Sequence, residues 1–338
     1  MNDDLYIPPN PPAVDRRTRL IALGVLQLGF GALCALLAAL ILFSMFAMLA
    51  MGPETAATAG ISPKMTIMGM AVYCGIAAWF ITMGVGSILA RRWARALILT
   101  SAWIWLACGI SGIVFMSTFM GDMFDIMAAN GQTPPGFAQV MKVTMIVFAA
   151  VFYVALPGAL VLFYRGDSVK ATCDYRNPAP SWTDACPMPV LAHVLLFVTL
   201  ALSMILMGGY NWAVPFFGVI LSGPAGAAAA IAIAALSTGL AWGAYNLKPA
   251  ALWGSAVLIV AWGASAFVTF SRVDLMEFYE KIGMPPQQLE MMRPLIESGG
   301  LQMPMLIAIP FWIVALLALL AYTKRYYGNT DAPNTDLA

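Results

Sequence analysis

The hydrophobic positions of this chain form eight long runs, separated by short segments rich in polar residues, glycine or proline. Each run is about as long as the ~20 residues that an α-helix needs to cross the hydrocarbon core of a bilayer. The runs do not alternate with a period of two, which argues against the strands of a membrane β-barrel. The predicted spans cover residues 20–51, 65–90, 96–120, 143–164, 190–207, 224–247, 250–270 and 303–322.

The composition agrees with a membrane protein. The chain is 61% hydrophobic and 10% charged, so most of it is unsuited to the exterior of a water-soluble domain. The first run is about twice as long as the roughly 7–15 apolar residues of a secretory signal peptide, and we interpret it as a retained span. A net charge of +1 gives no reason to expect nucleic acid as a partner.

The basic residues predict an orientation. Twelve Lys and Arg residues lie in the segments on the side of the termini, and five lie on the opposite side. Because basic residues in short loops stay in the cytoplasm, both termini are predicted to be cytoplasmic. A multi-pass helical bundle of this kind is typical of an inner or plasma membrane.

Two connectors on the other side share one pattern. "GDMFDIMAANGQTPPGFAQVMK" (121–142) and "VDLMEFYEKIGMPPQQLEMMR" (273–293) both read acid, two apolar, acid, two apolar, glycine, double proline. The pattern predicts a short amphipathic helix whose acids lie near its start, followed by a turn. In the spans before the connectors, Ser101 and Gly109 match Ser255 and Gly263.

This duplication predicts the architecture. We expect an all-α integral membrane protein with eight transmembrane helices, arranged as two parallel four-helix repeats with amphipathic helical hairpins on the extracytoplasmic side. The predicted organisation is a cytoplasmic tail (1–19), a first repeat (20–165, hairpin about 121–142), a cytoplasmic linker (166–189), a second repeat (190–323, hairpin about 273–302) and a cytoplasmic tail (324–338). Periodicity does not decide whether residues 208–224 lie in an interface or re-enter the membrane.

The leading functional hypothesis is a non-catalytic membrane component that docks a partner through the two hairpins. The expected partners are membrane lipids and a partner protein or larger membrane complex. The residues predicted to dock them are Phe124, Met127, Pro134, Pro135, Phe278, Tyr279, Pro285 and Pro286.

A methionine stripe supports an alternative hypothesis. Met116, Met120, Met123 and Met127 follow a helical spacing that places them on one face. Thioether sulfurs can bind Cu(I), although methionine more commonly fills irregular gaps in a core. A transporter of a neutral or apolar solute, or of a soft metal such as Cu(I), is therefore kept as an alternative.

The acidic residues of the connectors support a third hypothesis. Asp122 with Asp125, and Asp274 with Glu277, each place two carboxylates on one helix face. Two such pairs could hold Mg²⁺ in a membrane enzyme. The alternative is a pair of solvated helix starts. Apart from Cu(I) and Mg²⁺, no cofactor is predicted.

Several other chemistries are not expected. With His193 as the only histidine, bis-histidine haem ligation and the H-E-x-x-H zinc site are excluded. A Ser/His hydrolase would need His193 beside a buried serine, which we do not expect at the start of the fifth span. The spacing of Cys173 and Cys186 fits no C-x-x-C pair, so their segment is interpreted as a linker.

Overall fold

The computed structural model describes residues 11–51, 63–129, 136–297, 299 and 301–327. Within these residues, eight helical segments are long and apolar enough to cross a membrane, which confirms the predicted number of spans. The helices are α1 (Arg17–Met51), α2 (Pro63–Ile88), α3 (Arg92–Ala129), α4 (Phe137–Ala150), α5 (Leu156–Tyr164), α6 (Asp167–Arg176), α7 (Met188–Leu206), α8 (Gly223–Tyr245), α9 (Pro249–Arg272), α10 (Leu275–Lys281), α11 (Pro286–Glu297) and α12 (Gln302–Thr323). A π-helical turn, Val151–Ala155, joins α4 to α5 in the fourth span.

The spans pack in pairs. The first quartet, residues 17–164, pairs α1 with α2 and α3 with the fourth span, and the second quartet, residues 188–326, pairs α7 with α8 and α9 with α12. Helix α3 also contacts α7 and α12, which joins the quartets. We call the end with the α2–α3 and α8–α9 turns the basic end, and the opposite end the hairpin end.

Small residues bring the first two spans close together. Along α1, the described buried positions form a single stripe, Leu20, Gly24, Gln27, Gly31, Cys34 and Ala38, while most of the remaining helix surface is exposed. A Cβ atom on Gly24 would lie 2.7 Å from the carbonyl oxygen of Gly84 in α2. Because lipid gives no hydrophobic drive for helix association, such close backbone packing stabilises the pair, and the apolar exposed faces suit lipid.

The two quartets contain equivalent turns at the basic end. Ala90 between α2 and α3, and Leu247 between α8 and α9, both adopt a positive φ, at 50° and 53°. In each turn the next N–H donates to a glycine carbonyl, Gly86 at 2.8 Å and Gly243 at 2.9 Å. The bonds satisfy a carbonyl at the helix end, as in a Schellman motif.

The contact after each turn corrects the register of the sequence match. Gly86 faces Ala94 in α3, and Gly243 faces Ala251 in α9. In this local correspondence Ser101 lies opposite Leu258, about one helical turn from the Ser255 that the sequence comparison matched with it. The repeat of whole quartets stays a prediction, supported by these local equivalences.

The connectors at the hairpin end differ in their helices. Helix α3 continues without a break to Ala129, so the expected separate helix at 121 is wrong. Helix α9, in contrast, ends at Arg272, Val273 is extended, and Asp274 caps α10. The cause of the difference is local, because the Asp274 carboxylate accepts a hydrogen bond from the Met276 N–H at 2.9 Å and starts a new helix.

The segment 208–224 folds back along α9. It contains an antiparallel β-hairpin of β1 (Val214–Phe216) and β2 (Val219–Leu221). At its tip, the N–H groups of Phe217 and Gly218 donate to Ser265 Oγ (2.9 Å) and Thr269 Oγ1 (3.0 Å). Ser265 lies ~10 Å along α9 from its end, so the hairpin re-enters the bundle. The side-chain hydroxyls satisfy backbone groups that hydrocarbon could not.

The linker between the quartets is packed into the basic end. Its helix α6 buries Val169 and Cys173 in the same hydrophobic cluster as Cys186. Arg92 of α3 forms ion pairs with Asp174 (3.0 Å) and Asp184 (3.3 Å). The linker therefore fixes the start of the second quartet against the first.

Candidate functional site

The acidic pair of the second hairpin has structural partners. Asp274 caps α10, and Glu277 forms an ion pair with Lys281 at 2.8 Å. The Lys281 ammonium also donates to the carbonyl of Ile220 in β2 at 3.3 Å. These contacts join α10 to the re-entrant β-hairpin. Among the described residues, no group of three or more His, Cys, Asp or Glu side chains could hold a metal ion.

The predicted docking residues of the second hairpin mostly pack inward. Phe278 and Tyr279 contact the cluster around Phe270, and burial raises the pKa of the Tyr279 hydroxyl. Pro285 is half-buried, and Pro286 is exposed at the first turn of α11. Phe278 and Tyr279 therefore hold the hairpin onto the spans and leave little free aromatic surface.

The predicted residues of the first hairpin are described only in part. Phe124, Asp122 and Asp125 and the stripe Met116, Met120, Met123 and Met127 lie in helix α3, but their side chains are outside the described part of the structure. The continuous helix places the four methionine positions on one face. Pro134 and Pro135 lie outside the described residues.

The first quartet encloses an apolar cavity of about 330 Å³. Its walls come from all four spans, and aromatic rings dominate them. The rings of Phe30 and Phe80 meet edge to face at 4.6 Å, and those of Trp105 and Phe152 at 5.5 Å. Phe152 lies in the π-helical turn, an irregularity that often marks functional sites.

A glycine fixes this turn against the third span. A Cβ atom on Gly109 would overlap the backbone of Tyr153, so only glycine allows this approach of α3. Because Tyr153 follows Phe152, the contact also positions the Phe152 ring in the cavity. Gly109 therefore has a steric role in shaping the site.

Gln27 is the polar residue of α1 that lines this cavity. Its side chain lies beside the Tyr164 hydroxyl, which is 2.7 Å from Ser87 Oγ. Gln27 is 8% exposed, and its Oε1 has no hydrogen-bond partner among the described residues. An amide oxygen left in this state is costly unless something else donates to it.

The second quartet contains a corresponding cavity of about 500 Å³. Trp262 and Leu258 of α9 line it at the positions that correspond to Trp105 and Ser101 in the register of the turns. Phe197 of α7 and Trp312 of α12 complete its aromatic wall. Both quartets thus place a cavity between their first, third and fourth spans.

His193 packs against Phe197, which lines this second cavity, and contacts two hydroxyl groups. Its Nε2 is 2.8 Å from Ser255 Oγ, and its Nδ1 is 2.9 Å from the Tyr327 hydroxyl. The expectation that His193 lacks a buried serine neighbour was wrong, because α7 and α9 meet at this level. Both His193 and Ser255 are inaccessible, at 1% and 0% exposure, which favours a structural role over hydrolysis.

A third cavity, of about 640 Å³, lies between the quartets. Cys108 and Ser111 of α3 face Ile307, Phe311 and Trp312 of α12 across it. Ala308 and Trp312 line both this cavity and that of the second quartet. Among the described residues, no charged side chain lines any of the three cavities.

The linker cysteines are both buried. Cys173 and Cys186 are free thiols that are 1% and 4% exposed. Burial raises the pKa of Cys173 to about 11 and that of Cys186 to about 12. Because the thiolate is the reactive form, both are expected to be inert.

Comparisons with protein-family models, with curated proteins and with solved structures find no match to this chain. Sequence reasoning missed Gln27, Gly109, Phe152 and Ser255 as site residues. A glutamine within an apolar run is a signal that could have pointed to Gln27, since buried polar groups in spans are costly.

Proposed function

We propose that this multi-pass membrane protein is non-catalytic and binds uncharged, lipid-like molecules between its helices. The observation that carries the proposal is the set of apolar cavities of about 330, 500 and 640 Å³ within and between the quartets. These volumes fall in the ~300–1,000 Å³ range of small-molecule sites.

The chemistry of the walls supports a neutral occupant. A charged ligand buried there would lack an ionic partner among the described lining residues, and its desolvation would be costly. The surrounding bilayer supplies neutral apolar molecules at high concentration. Lipid-like compounds are therefore the class that these cavities suit best.

The proposed lipid contact lies in the cavities between the spans, whereas the sequence predicted it at the two hairpins. Docking through the second hairpin has less support, because Phe278 and Tyr279 pack against the ends of α9 and α12. The outward face of α11 carries exposed charge, with Arg293 paired to Glu290 at 2.8 Å. A protein partner on this face would meet charged side chains rather than an aromatic surface.

The magnesium-enzyme alternative also has less support. The Asp274 carboxylate already caps α10, and Glu277 already pairs with Lys281. Binding of Mg²⁺ at the second acidic pair would have to compete with the Lys281 ammonium for Glu277. Nothing described in the first connector favours Cu(I) over packing for the methionine stripe.

Mass spectrometry of co-purifying molecules tests lipid binding. Ala308 lines two cavities, so Ala308→Trp should fill them and reduce the molar ratio of bound lipid in mild detergent. Ala318→Trp is the matched control, because Ala318 lies on an exposed face of the same helix. Equal lipid ratios in the unmodified protein and a folded Ala308→Trp variant would contradict the proposal.

Carriage of an apolar solute is a second candidate, favoured by the position of the cavity of about 640 Å³. This cavity lies between α3 and α12, at the junction of the quartets, where relative movement of two repeats could alternate access. Reconstituted vesicles should then show protein-dependent uptake or efflux of a neutral solute. A flat flux trace across a solute panel would remove this candidate and leave binding intact.

We further propose that both termini are cytoplasmic, in an inner or plasma membrane, on the basis of the Lys and Arg distribution. Ala179→Cys in the linker and Gln288→Cys in α11 provide exposed reporters at opposite ends. An impermeant maleimide added to intact cells should label only Gln288→Cys. Labelling of Ala179→Cys alone would reverse the orientation.

A further inference from the structure

One atom of the Gln27 amide has no hydrogen-bond partner. Gln27 lies beside the Tyr164 hydroxyl, which is 2.7 Å from Ser87 Oγ, and either of these two hydroxyls can be the donor between them. Gln27 Oε1 is buried and has no donor among the described residues, so it is the unpartnered acceptor.

This free acceptor belongs to a residue that lines a largely apolar cavity. Gln27 is more than nine-tenths buried, and the rings of Phe30, Trp105 and Phe152 line the same cavity of about 330 Å³. A buried acceptor without a donor costs about 1–3 kcal/mol. A ligand that supplies one O–H donor and an apolar body would satisfy the oxygen and fill the aromatic cavity.

We propose that the cavity of the first quartet is a binding site for a lipid alcohol, a neutral molecule whose hydroxyl donates to Gln27 Oε1. The inference rests on the proposed lipid-binding function and names the ligand class for one cavity. An ether or ketone with the same hydrocarbon part can fill the cavity but cannot donate a hydrogen bond to Gln27 Oε1. A carboxylate would place an unpaired charge beside an acceptor, which excludes it.

The second quartet offers an internal contrast. His193 packs against the cavity residue Phe197, and both of its ring nitrogens have hydroxyl partners, Ser255 at 2.8 Å and Tyr327 at 2.9 Å. His193 therefore presents no free acceptor to a ligand. The hydroxyl requirement is expected only in the first quartet.

A pair of probes that differ by one donor tests the inference. Equilibrium binding of farnesol and farnesyl methyl ether is measured on delipidated protein in detergent. The unmodified protein should bind the alcohol about tenfold more tightly, since one hydrogen bond that satisfies a buried acceptor contributes roughly 1–2 kcal/mol. Gln27→Leu, which keeps the size of the side chain, should bring the ratio close to one.

Control variants distinguish the selectivity for a lipid alcohol from lipid binding in general. Thr199→Val removes a hydroxyl from an exposed position of α7 and should leave the ratio unchanged. Equal affinities of alcohol and ether for the unmodified protein, lost together in Ser101→Phe, would overturn the lipid-alcohol inference and keep lipid binding in this cavity. Absence of binding for both probes would overturn both. The comparison on the unmodified protein stands even if Gln27→Leu does not fold.

Discussion

Gly109 affects the shape of the first cavity, because its lack of a side chain allows α3 to approach Tyr153. A Cβ atom at this position would overlap the backbone of Tyr153, which cannot move as a flexible side chain can. Gly109→Ala should therefore lower the free energy of unfolding by about 1–3 kcal/mol, as overpacking does. Thermal or denaturant unfolding in detergent measures the change.

Two other glycines provide graded controls. A Cβ on Gly263 would meet the side chain of Ile313, which can move, so Gly263→Ala should cost less than Gly109→Ala. Gly112 has open space around it, and Gly112→Ala should be neutral or stabilising. A Gly109→Ala variant as stable as Gly112→Ala would show that the close approach to Tyr153 is wrong.

Ser255 tests whether the His193 contacts are structural. Ser255→Ala leaves Nε2 of the buried imidazole without a partner and should cost about 1–3 kcal/mol of unfolding free energy. Ser271→Ala, at an exposed position of the same helix, is the control and should have little effect. A fluorophosphonate probe should not label Ser255, because the residue is 0% exposed. Labelling that Ser255→Ala abolishes would instead indicate a hydrolase.

Sequence reasoning at this scale found residue types but not partners. It noted His193 as the only histidine, yet its contacts come from residues far along the chain, Ser255 and Tyr327. Such pairs depend on how helices are rotated against each other. Hydrophobic runs that are apolar on every face carry little information about rotation.

The re-entrant β-hairpin is an element whose stability depends on two side chains of a neighbouring helix. Phe217 has a positive φ of 40°, a strained conformation for a bulky residue, and its N–H bonds Ser265 Oγ. The double variant Ser265→Ala and Thr269→Val should remove both tip bonds and speed hydrogen exchange at the amides of Phe217 and Gly218.

The exchange experiment also has a local control. Amides in the middle of α9 should keep their protection in the double variant, since the helix ladder is unchanged. Unaltered exchange at Phe217 and Gly218 would mean that the tip is held by other contacts. Loss of protection throughout α9 would indicate global unfolding rather than release of the hairpin.

The linker is a second element with a direct test. Cys173 and Cys186 are buried, and their raised pKa values leave little thiolate at pH 8. Both should resist a maleimide until the protein is denatured, whereas Ala179→Cys, at an exposed position of the linker, should react at once. Rapid reaction of Cys173 or Cys186 in the folded protein would contradict the packed linker.

The sequence predicted those elements that the length of an apolar run is enough to identify. All eight spans were found from the sequence, because the bilayer sets a minimum apolar length. The β-hairpin and the ordered linker were not predicted, since Phe217 with a positive φ and buried Cys173 give no periodic signal. The uninterrupted helix α3 was also missed, because the similar connectors conceal the cap that only Asp274 provides.

At the scale of the whole molecule, two quartets each enclose an aromatic cavity and share a third between them. The equivalent turns at Ala90 and Leu247 place Trp105 and Trp262 at corresponding positions in the two cavities. The polar side chains in or beside them differ, because Gln27 keeps a free acceptor and His193 does not. The quartets are therefore expected to bind apolar molecules with different selectivity.

A structure from crystals grown in a lipidic mesophase is the most direct test of lipid binding, because it shows whether the cavities hold lipid-like molecules. Continuous non-protein density should fill the cavity bounded by Phe30, Trp105 and Phe152, and that bounded by Phe197 and Trp262. In the first cavity, a ligand oxygen should lie within hydrogen-bond distance of Gln27 Oε1. Cavities that have closed by side-chain repacking, or that contain only water, would contradict the account.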